Sequence, residues 1–123
     1  MKALLLLGSL WWVVNVHGGD GSVSTKGVAS WYGEAHRGKL MANGKKFDPD
    51  KLTAASWFYP LGTRVRVTLQ SEPERTVLVT ITDRGPGRRY VQQGRIIDLA
   101  EGAFKELASP DLGLVPVTVT RVE

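Results

Sequence analysis

The chain has 123 residues, enough for one small domain. It carries 16 Lys and Arg against 12 Asp and Glu, and this excess of four is scattered rather than grouped in basic runs. So mild a bias argues against nucleic-acid binding and is compatible with attraction to an acidic polymer of a cell envelope. The lack of cysteine excludes a disulfide scaffold, so the hydrophobic core must hold the fold alone.

Residues 1–19 have the pattern of a secretory signal peptide. A basic start is followed by an apolar run over residues 3–14, which is shorter than the roughly 20 residues that span a bilayer as a helix. A short membrane anchor or a buried helix is the alternative interpretation. Since no cysteine is present for lipid attachment, we expect a secreted or periplasmic monomer without a stable membrane anchor. Residues 20–26, rich in Gly, Ser and Asp, are predicted to be a flexible lead before a domain over residues 27–123.

Short strands dominate the rest of the chain. Polar and apolar residues alternate with period two over residues 64–70 and 76–82, which is typical of half-buried strands. Residues 52–57 fit either a strand or a single helical turn, and the polar, glycine-containing residues 34–50 are predicted to form a long loop. The predicted strands cover residues 27–33, 64–70, 76–82, 95–99 and 114–122, with residues 52–57 as a further strand or a helical turn, and one short helix covers residues 100–107. About six short strands and one helix predict a small closed barrel.

Two aspartates stand at or near the ends of apolar strands and are separated by a loop of Gly, Pro and Arg. Asp83 follows residues 79–82, and Asp98 follows Ile96 and Ile97. A carboxylate at the mouth of a rigid strand beside a Gly-Pro turn is suited to acid–base chemistry. Each aspartate also has a structural interpretation: Asp83 can bind backbone N–H groups as it starts a turn, and Asp98 can cap the following helix.

Several neighbouring residues are candidates for binding a substrate. Trp31 and Tyr32 point to opposite sides of a strand, so at most one should face a groove, and we choose Tyr32 because its hydroxyl can also form a hydrogen bond. Asn43, before Gly44, either contributes to the site or merely supplies a left-handed turn conformation.

An aromatic run over residues 57–59 packs in the core by default, with a groove wall as the alternative. Two distant histidines, no cysteine and no HExxH pattern argue against zinc, and no phosphate loop or dinucleotide fingerprint is present. The sequence therefore predicts no metal and no cofactor.

Six motifs, in order, resemble the rare lipoprotein A family over nearly all of residues 27–119. They read ASWYG, GKLMANGKKFD, LTAAS, YPLGTRVRVT, ITDRGP and GRIIDLA. The resemblance implies a mainly β, six-stranded double-psi β-barrel with one or two short helices, related to the barrels of expansins and barwin-like proteins. It also implies a lytic transglycosylase that cleaves the MurNAc–GlcNAc bond of peptidoglycan glycan strands and leaves a 1,6-anhydroMurNAc end.

The same resemblance assigns roles to individual residues. Asp83 matches the proposed catalytic acid of the family, acting as general acid and base. Ser56 stands where the family usually has a histidine thought to assist that aspartate, and we expect its hydroxyl to orient Asp83. Arg84 is expected to pair with Asp83 or with the lactyl carboxylate of the substrate, or to be a solvated charge. Asp98 is expected to line the same groove.

Three functions remain open at this point. The first is an exported lytic transglycosylase, which the aspartate of the ITDRGP motif favours. The second is a non-catalytic glycan-binding module with an expansin-like groove, which the serine in LTAAS favours. The third is an envelope adaptor that uses its barrel for protein contacts, which an exposed apolar patch away from the groove would favour.

Overall fold

The computed structural model describes residues 13, 14 and 23–122. Its strands in chain order are β1 (Val13–Val14), β2 (Ser24–Tyr32), β3 (Thr53–Ala55), β4 (Arg64–Leu69), β5 (Thr76–Asp83), β6 (Arg95–Ala100) and β7 (Val115–Arg121). Two short α-helices, α1 (Arg88–Gln92) and α2 (Glu101–Lys105), precede and follow β6. Two single 3₁₀ turns cover Glu34–His36 and Pro110–Leu112.

Six of the strands close into a barrel. Their order is β2-β6-β3-β5-β4-β7, and β7 returns to pair with β2. The β2–β6 and β3–β5 pairs are parallel, and the other four pairs of the ring are antiparallel. The short strand β1 pairs with the first residues of β2. The predicted six-stranded, mainly β barrel with one or two short helices is therefore confirmed, and it has two α-helices.

The core follows from the period-two pattern of the sequence. Alternate residues of β4, β5 and β7 point into the barrel and are buried, while their neighbours, apart from Thr82, stay partly or fully exposed, as half-buried strands require. Phe104 and Leu107, in and just after α2, are also buried and belong to the same core cluster. The inward residues of these three strands are Val65, Val67, Leu69, Val77, Val79, Ile81, Val115, Val117 and Val119.

The first barrel strand begins earlier than predicted. Ser24–Lys26 belong to β2 and pair with Val119 and its two neighbours in β7, and the Ser24 and Thr120 hydroxyls are 2.8 Å apart. The prediction of a flexible lead over residues 20–26 was therefore wrong for Ser24–Lys26, because a partner strand more than 90 residues away orders them. The signal-peptide prediction lies outside the described residues except for Val13–Val14, and it stays a prediction. Within the described part of the chain, no helix is long and apolar enough to cross a membrane.

The second difference is helix α1, which occupies the predicted Gly-Pro-Arg loop between the two aspartates. Its five residues are too few to show an apolar repeat in the sequence, and none of them is buried. Gly94 ends the segment with a φ of 94°, a left-handed conformation that glycine tolerates without steric cost. The chain then turns directly into β6.

Candidate functional site

Strand β3 brings the two aspartates to one side of the barrel. Ala55 is the register partner of Asp83 in β5 and of Asp98 in β6. Because neighbouring strands lie about 4.8 Å apart, the α-carbons of the two aspartates stand about 10 Å apart, with Ala55 between them. All three residues line a cavity of about 870 Å³, which we call the central groove. Its other lining residues are Ser30, Trp31, Tyr32, His36, Arg84, Tyr90, Arg95, Pro110, Gly113 and Leu114.

Asp83 is held by backbone hydrogen bonds. Its Oδ1 accepts the N–H of Arg84 at 2.8 Å and the N–H of Ala42 at 2.9 Å. The second bond ties the loop over residues 34–50 to the end of β5. Asp83 therefore binds backbone N–H groups, as its structural interpretation proposed, and it also lines the central groove.

Asp98 is mostly buried in the groove wall. The Ser30 hydroxyl donates a hydrogen bond to its Oδ1. Burial raises the pKa of Asp98, while the Ser30 hydrogen bond and the charges of Arg95 and His36 oppose that rise. The alternative that Asp98 caps the next helix was wrong, because Asp98 lies inside β6 and the N-cap of α2 is Ala100, without a side-chain cap.

Tyr32 and Trp31 both border the central groove, although strand alternation predicted that only one of them would do so. The ring of Tyr32 stacks on Phe47 with 4.3 Å between centroids and meets His36 edge-on at 5.7 Å. Its hydroxyl is buried and has no hydrogen-bond partner among the described residues. Burial and the nearby charges of Asp83 and Asp98 raise the pKa of this hydroxyl, which keeps it a donor. Trp31 packs against the core and donates its indole N–H to the carbonyl of Pro110 at 2.9 Å.

Ser56 does not make the predicted side-chain contact with Asp83. Its side chain is fully buried, donates to the Ile96 carbonyl at 3.1 Å and accepts the Phe58 N–H at 3.1 Å. Only its backbone N–H reaches Asp83, at the carbonyl oxygen. The expectation that the Ser56 hydroxyl orients the catalytic carboxylate was wrong, because the hydroxyl points inward from the residue that follows β3.

Arg84 has structural partners as well as a place in the groove. Its Nη1 donates to the carbonyls of Ser56 at 2.9 Å and Tyr59 at 2.8 Å. Its guanidinium carbon lies 5.9 Å from the centroid of the Trp57 ring. These contacts fix the arginine against the segment after β3, so it is not the loosely solvated charge that one interpretation allowed.

Asn43 lies outside the lining of the central groove. Its side-chain oxygen accepts the Lys45 N–H at 2.9 Å, and its own N–H donates to Thr82. The left-handed conformation expected at Asn43 belongs to Gly44, with a φ of 86°. Asn43 thus shapes the turn beside β5 through its side chain.

Several groove residues were not singled out from the sequence, among them Ser30, His36, Tyr90 and Arg95. The Arg95 guanidinium lies 4.3 Å from the centroid of the Tyr90 ring. In the sequence, the only indication that His36 lies in the groove was its position four residues after Tyr32. No local sequence pattern placed His36 near Asp98. Among the described residues, no group of three or more acidic or histidine side chains is arranged to hold a metal ion.

The fold and groove define a double-psi β-barrel protein with two carboxylates in an open cleft. A family model described as "Lytic transglycolase" matches residues 24–119. The chain is 42% identical over 99 residues to a "Probable endolytic peptidoglycan transglycosylase RlpA" from a Nostoc species. It is 40% identical over 91 residues to the "Endolytic peptidoglycan transglycosylase RlpA" of Campylobacter jejuni. The chain therefore belongs to the RlpA-like family, as its motifs predicted.

These relatives are longer proteins. The matches cover 79% and 74% of this chain but only 25% of the Nostoc protein and 31% of the Campylobacter protein. Solved structures also share the fold. A Streptomyces papain inhibitor superposes with a TM-score of 0.64 at 25% identity, covering 81% of this chain and 94% of its own. An expansin of Clavibacter michiganensis gives 0.60 at 26% identity, covering 81% of this chain and 50% of its own.

Proposed function

We propose that this protein is an exported lytic transglycosylase that cleaves the MurNAc–GlcNAc bond of peptidoglycan glycan strands. The observation that carries the proposal is the central groove, where the carboxylates of Asp83 and Asp98 flank Ala55 in a chain of the lytic transglycosylase family. Both relatives described above are named as peptidoglycan transglycosylases. The groove is open, so a long polymer can enter from the side without threading through the barrel.

The reaction needs one proton donor and no activated water. A carboxylic acid protonates the glycosidic oxygen as that bond breaks, and the C6 hydroxyl of the same MurNAc attacks its anomeric carbon. The hydroxyl proton then passes to the carboxylate, which restores the acid and leaves a 1,6-anhydro ring. We assign this role to Asp83, which the backbone N–H groups of Ala42 and Arg84 orient at the end of β5.

Asp98 is the second carboxyl of the site. Its raised pKa favours the protonated form, so it is also the competing candidate for the acid. In the assignment proposed here, Asp98 holds the substrate on the opposite side of Ala55. The ring of Tyr32 and the charges of Arg84 and Arg95 complete the set of groups that line the groove around the sugar.

Digestion of purified glycan strands by the parent protein and three variants tests these assignments. Products are read by mass for the 1,6-anhydro end. We expect Asp83→Asn to lower the rate by about 10²–10⁴-fold, the usual range for loss of a general acid–base group. Glu74→Gln removes one negative charge from the exposed hairpin loop between β4 and β5, at a residue that does not line the groove, and should act as the parent does.

The third variant, Asp98→Asn, separates the two carboxyls. A modest loss with Asp98→Asn and a near-complete loss with Asp83→Asn supports the assignment. Near-complete loss with Asp98→Asn and substantial activity in Asp83→Asn would transfer the acid role to Asp98. Anhydro products from both variants at the parent rate would exclude this groove as the catalytic site.

One observation favours a second candidate function, a glycan-binding module without turnover. Ser56 replaces the family histidine and its side chain is buried and fully engaged, so that position supplies no side chain to the carboxylate. Strand binding by the parent without any anhydro product would support this second function and overturn the first. Neither binding nor product would overturn both.

A further inference from the structure

We infer that the protein has a second glycan subsite, which extends the central groove along the bound glycan strand. It is formed by Trp57, Phe58, Arg88 and Val91. These residues line a separate cavity of about 420 Å³, here called the Trp57 surface. The inference rests on the proposed function, because it assumes that the central groove takes a glycan. The inference adds the direction in which the glycan strand continues from the central groove and the chemistry of the neighbouring sugar.

Trp57 is unusually exposed for its size. The residue is 58% exposed, although it directly follows the fully buried Ser56. The default expectation was that the aromatic run over residues 57–59 packs in the core. Phe58 and Tyr59 do pack against the core cluster, but Trp57 does not belong to it.

The exposed indole is nevertheless held in one orientation. Its Nε1–H donates to the carbonyl of Pro86 at 2.7 Å, which ties the ring to the segment between β5 and α1. The guanidinium carbon of Arg84 lies 5.9 Å from its centroid. A rigid aromatic side chain loses little conformational entropy when a ligand stacks on it.

Arg84 connects the two cavities. It lines the central groove and also lies over the Trp57 ring. A polymer bound across Asp83 therefore meets the Trp57 surface next, on the side where β5 ends. This continuity with the proposed substrate groove selects a further sugar of the same strand as the occupant.

The chemistry of the Trp57 surface suits an N-acetylated sugar that carries a carboxylate. A flat indole packs against the apolar C–H face of a sugar ring. The exposed Arg88 guanidinium can form charge-assisted hydrogen bonds to a carboxylate. MurNAc without its stem peptide carries a free lactyl carboxylate and GlcNAc does not, so we assign such a MurNAc to this subsite.

The test is calorimetric binding of glycans to the full chain, with Asp83→Asn in every protein to prevent cleavage. The ligands are a long peptidoglycan glycan strand without stem peptides, a short fragment of it that fills only the central groove, and a chito-oligosaccharide as long as the strand. Trp57→Ala should weaken binding of the long strand about tenfold and leave the short fragment unchanged. Arg88→Ala should weaken binding of the peptidoglycan strand but not of the chito-oligosaccharide, which lacks lactyl carboxylates.

Two further variants distinguish the loss of a glycan contact from a general loss of folded structure. Trp57→Phe keeps an aromatic face and should retain most of the affinity for the long strand. Leu78→Ala removes a partly exposed apolar side chain from the middle of β5 and should bind every ligand as the parent does. Long-strand affinity that is unchanged in Trp57→Ala, or that falls equally for the short fragment, would overturn the subsite.

Failure of the subsite and failure of the proposed function give different results. If the protein with intact Asp83 makes no anhydro product, but Trp57→Ala still selectively weakens long strands, the subsite stands and the enzyme assignment falls. If the protein is active and Trp57→Ala binds all three glycans normally, the subsite falls and the enzyme assignment stands.

Discussion

At the scale of single residues, the two groove aspartates differ because their surroundings differ. Asp83 is bound by two backbone N–H groups at the end of its strand. Asp98 is mostly buried and receives a hydrogen bond from a serine hydroxyl. Placing carboxyl groups in unlike environments is a general way to separate their roles in acid–base chemistry.

The raised pKa of Asp98 predicts how stability depends on pH. The folded state binds this proton more tightly than the unfolded state, in which the pKa is about 3.9. The free energy of unfolding should therefore fall as pH rises from about 4 through the raised pKa, and level off above it. Asp98→Asn removes the buried charge, so the variant should be more stable than the parent at pH 7, and this difference should shrink as pH falls towards 4.

Urea unfolding of the parent and of Asp98→Asn between pH 4 and pH 8 measures this difference. Glu74→Gln serves as the control, since its side chain is exposed and its difference from the parent should be small throughout. A stability difference for Asp98→Asn that does not change with pH would contradict the prediction.

At the scale of elements, the short strand β3 positions both aspartates of the site. It has three residues, yet it joins β5 to β6 and so sets both aspartates beside Ala55. Close backbone packing supports this arrangement elsewhere in the barrel. Gly27 in β2 lies so near β6 that an added Cβ would come within 2.8 Å of the Gly94 carbonyl oxygen and of the Ile96 side chain.

Gly27→Ala should therefore destabilise the protein by about 1–3 kcal/mol, the usual cost of overpacking. The clash includes a backbone oxygen, which accepts the Val28 N–H at 2.8 Å and cannot move freely. Gly87→Ala is the matched control, because its Cβ would meet nothing closer than 3.7 Å and its φ is −57°. We expect the control to be neutral or up to about 1 kcal/mol more stable in thermal or urea unfolding. Equal stability of the two variants would show that β2 and β6 can separate at Gly27.

At the scale of the whole molecule, closure of the barrel depends on the pairing of β2 with β7. This contact joins the beginning of the domain to its end, and it leaves no open edge in the six-stranded ring. The first three residues of β2 take part in it, which is why this barrel strand begins at Ser24 and not at Gly27.

A chain that begins at Gly27 should be less stable than one that begins at Val23. The shorter chain loses the pairing of Ser24–Lys26 with β7 and the hydroxyl contact between Ser24 and Thr120. At roughly 1 kcal/mol for each lost hydrogen bond, we expect a loss of about 2–4 kcal/mol in the free energy of unfolding. Denaturant unfolding of the two chains measures it, and equal midpoints would show that these residues behave as a flexible lead.

The sequence alone determined the class of fold and the region of the candidate site. Period-two alternation predicted the hairpin of β4 and β5, because one face of each strand is buried and one faces water. Six ordered motifs predicted the family, and two aspartates predicted at or near strand ends marked both sides of the groove. These signals are local, so a single chain displays them without knowledge of distant contacts.

Tertiary structure decided which of the local alternatives was realised. Whether Asp98 caps a helix or faces a groove depends on β3 and on Ser30, which lies 68 residues earlier. The Ser56 hydroxyl points inward because Ile96 offers it a carbonyl, and the start of β2 is ordered by β7. In each case a partner far along the chain supplies the hydrogen bond or the burial. A local pattern of residues does not predict that partner.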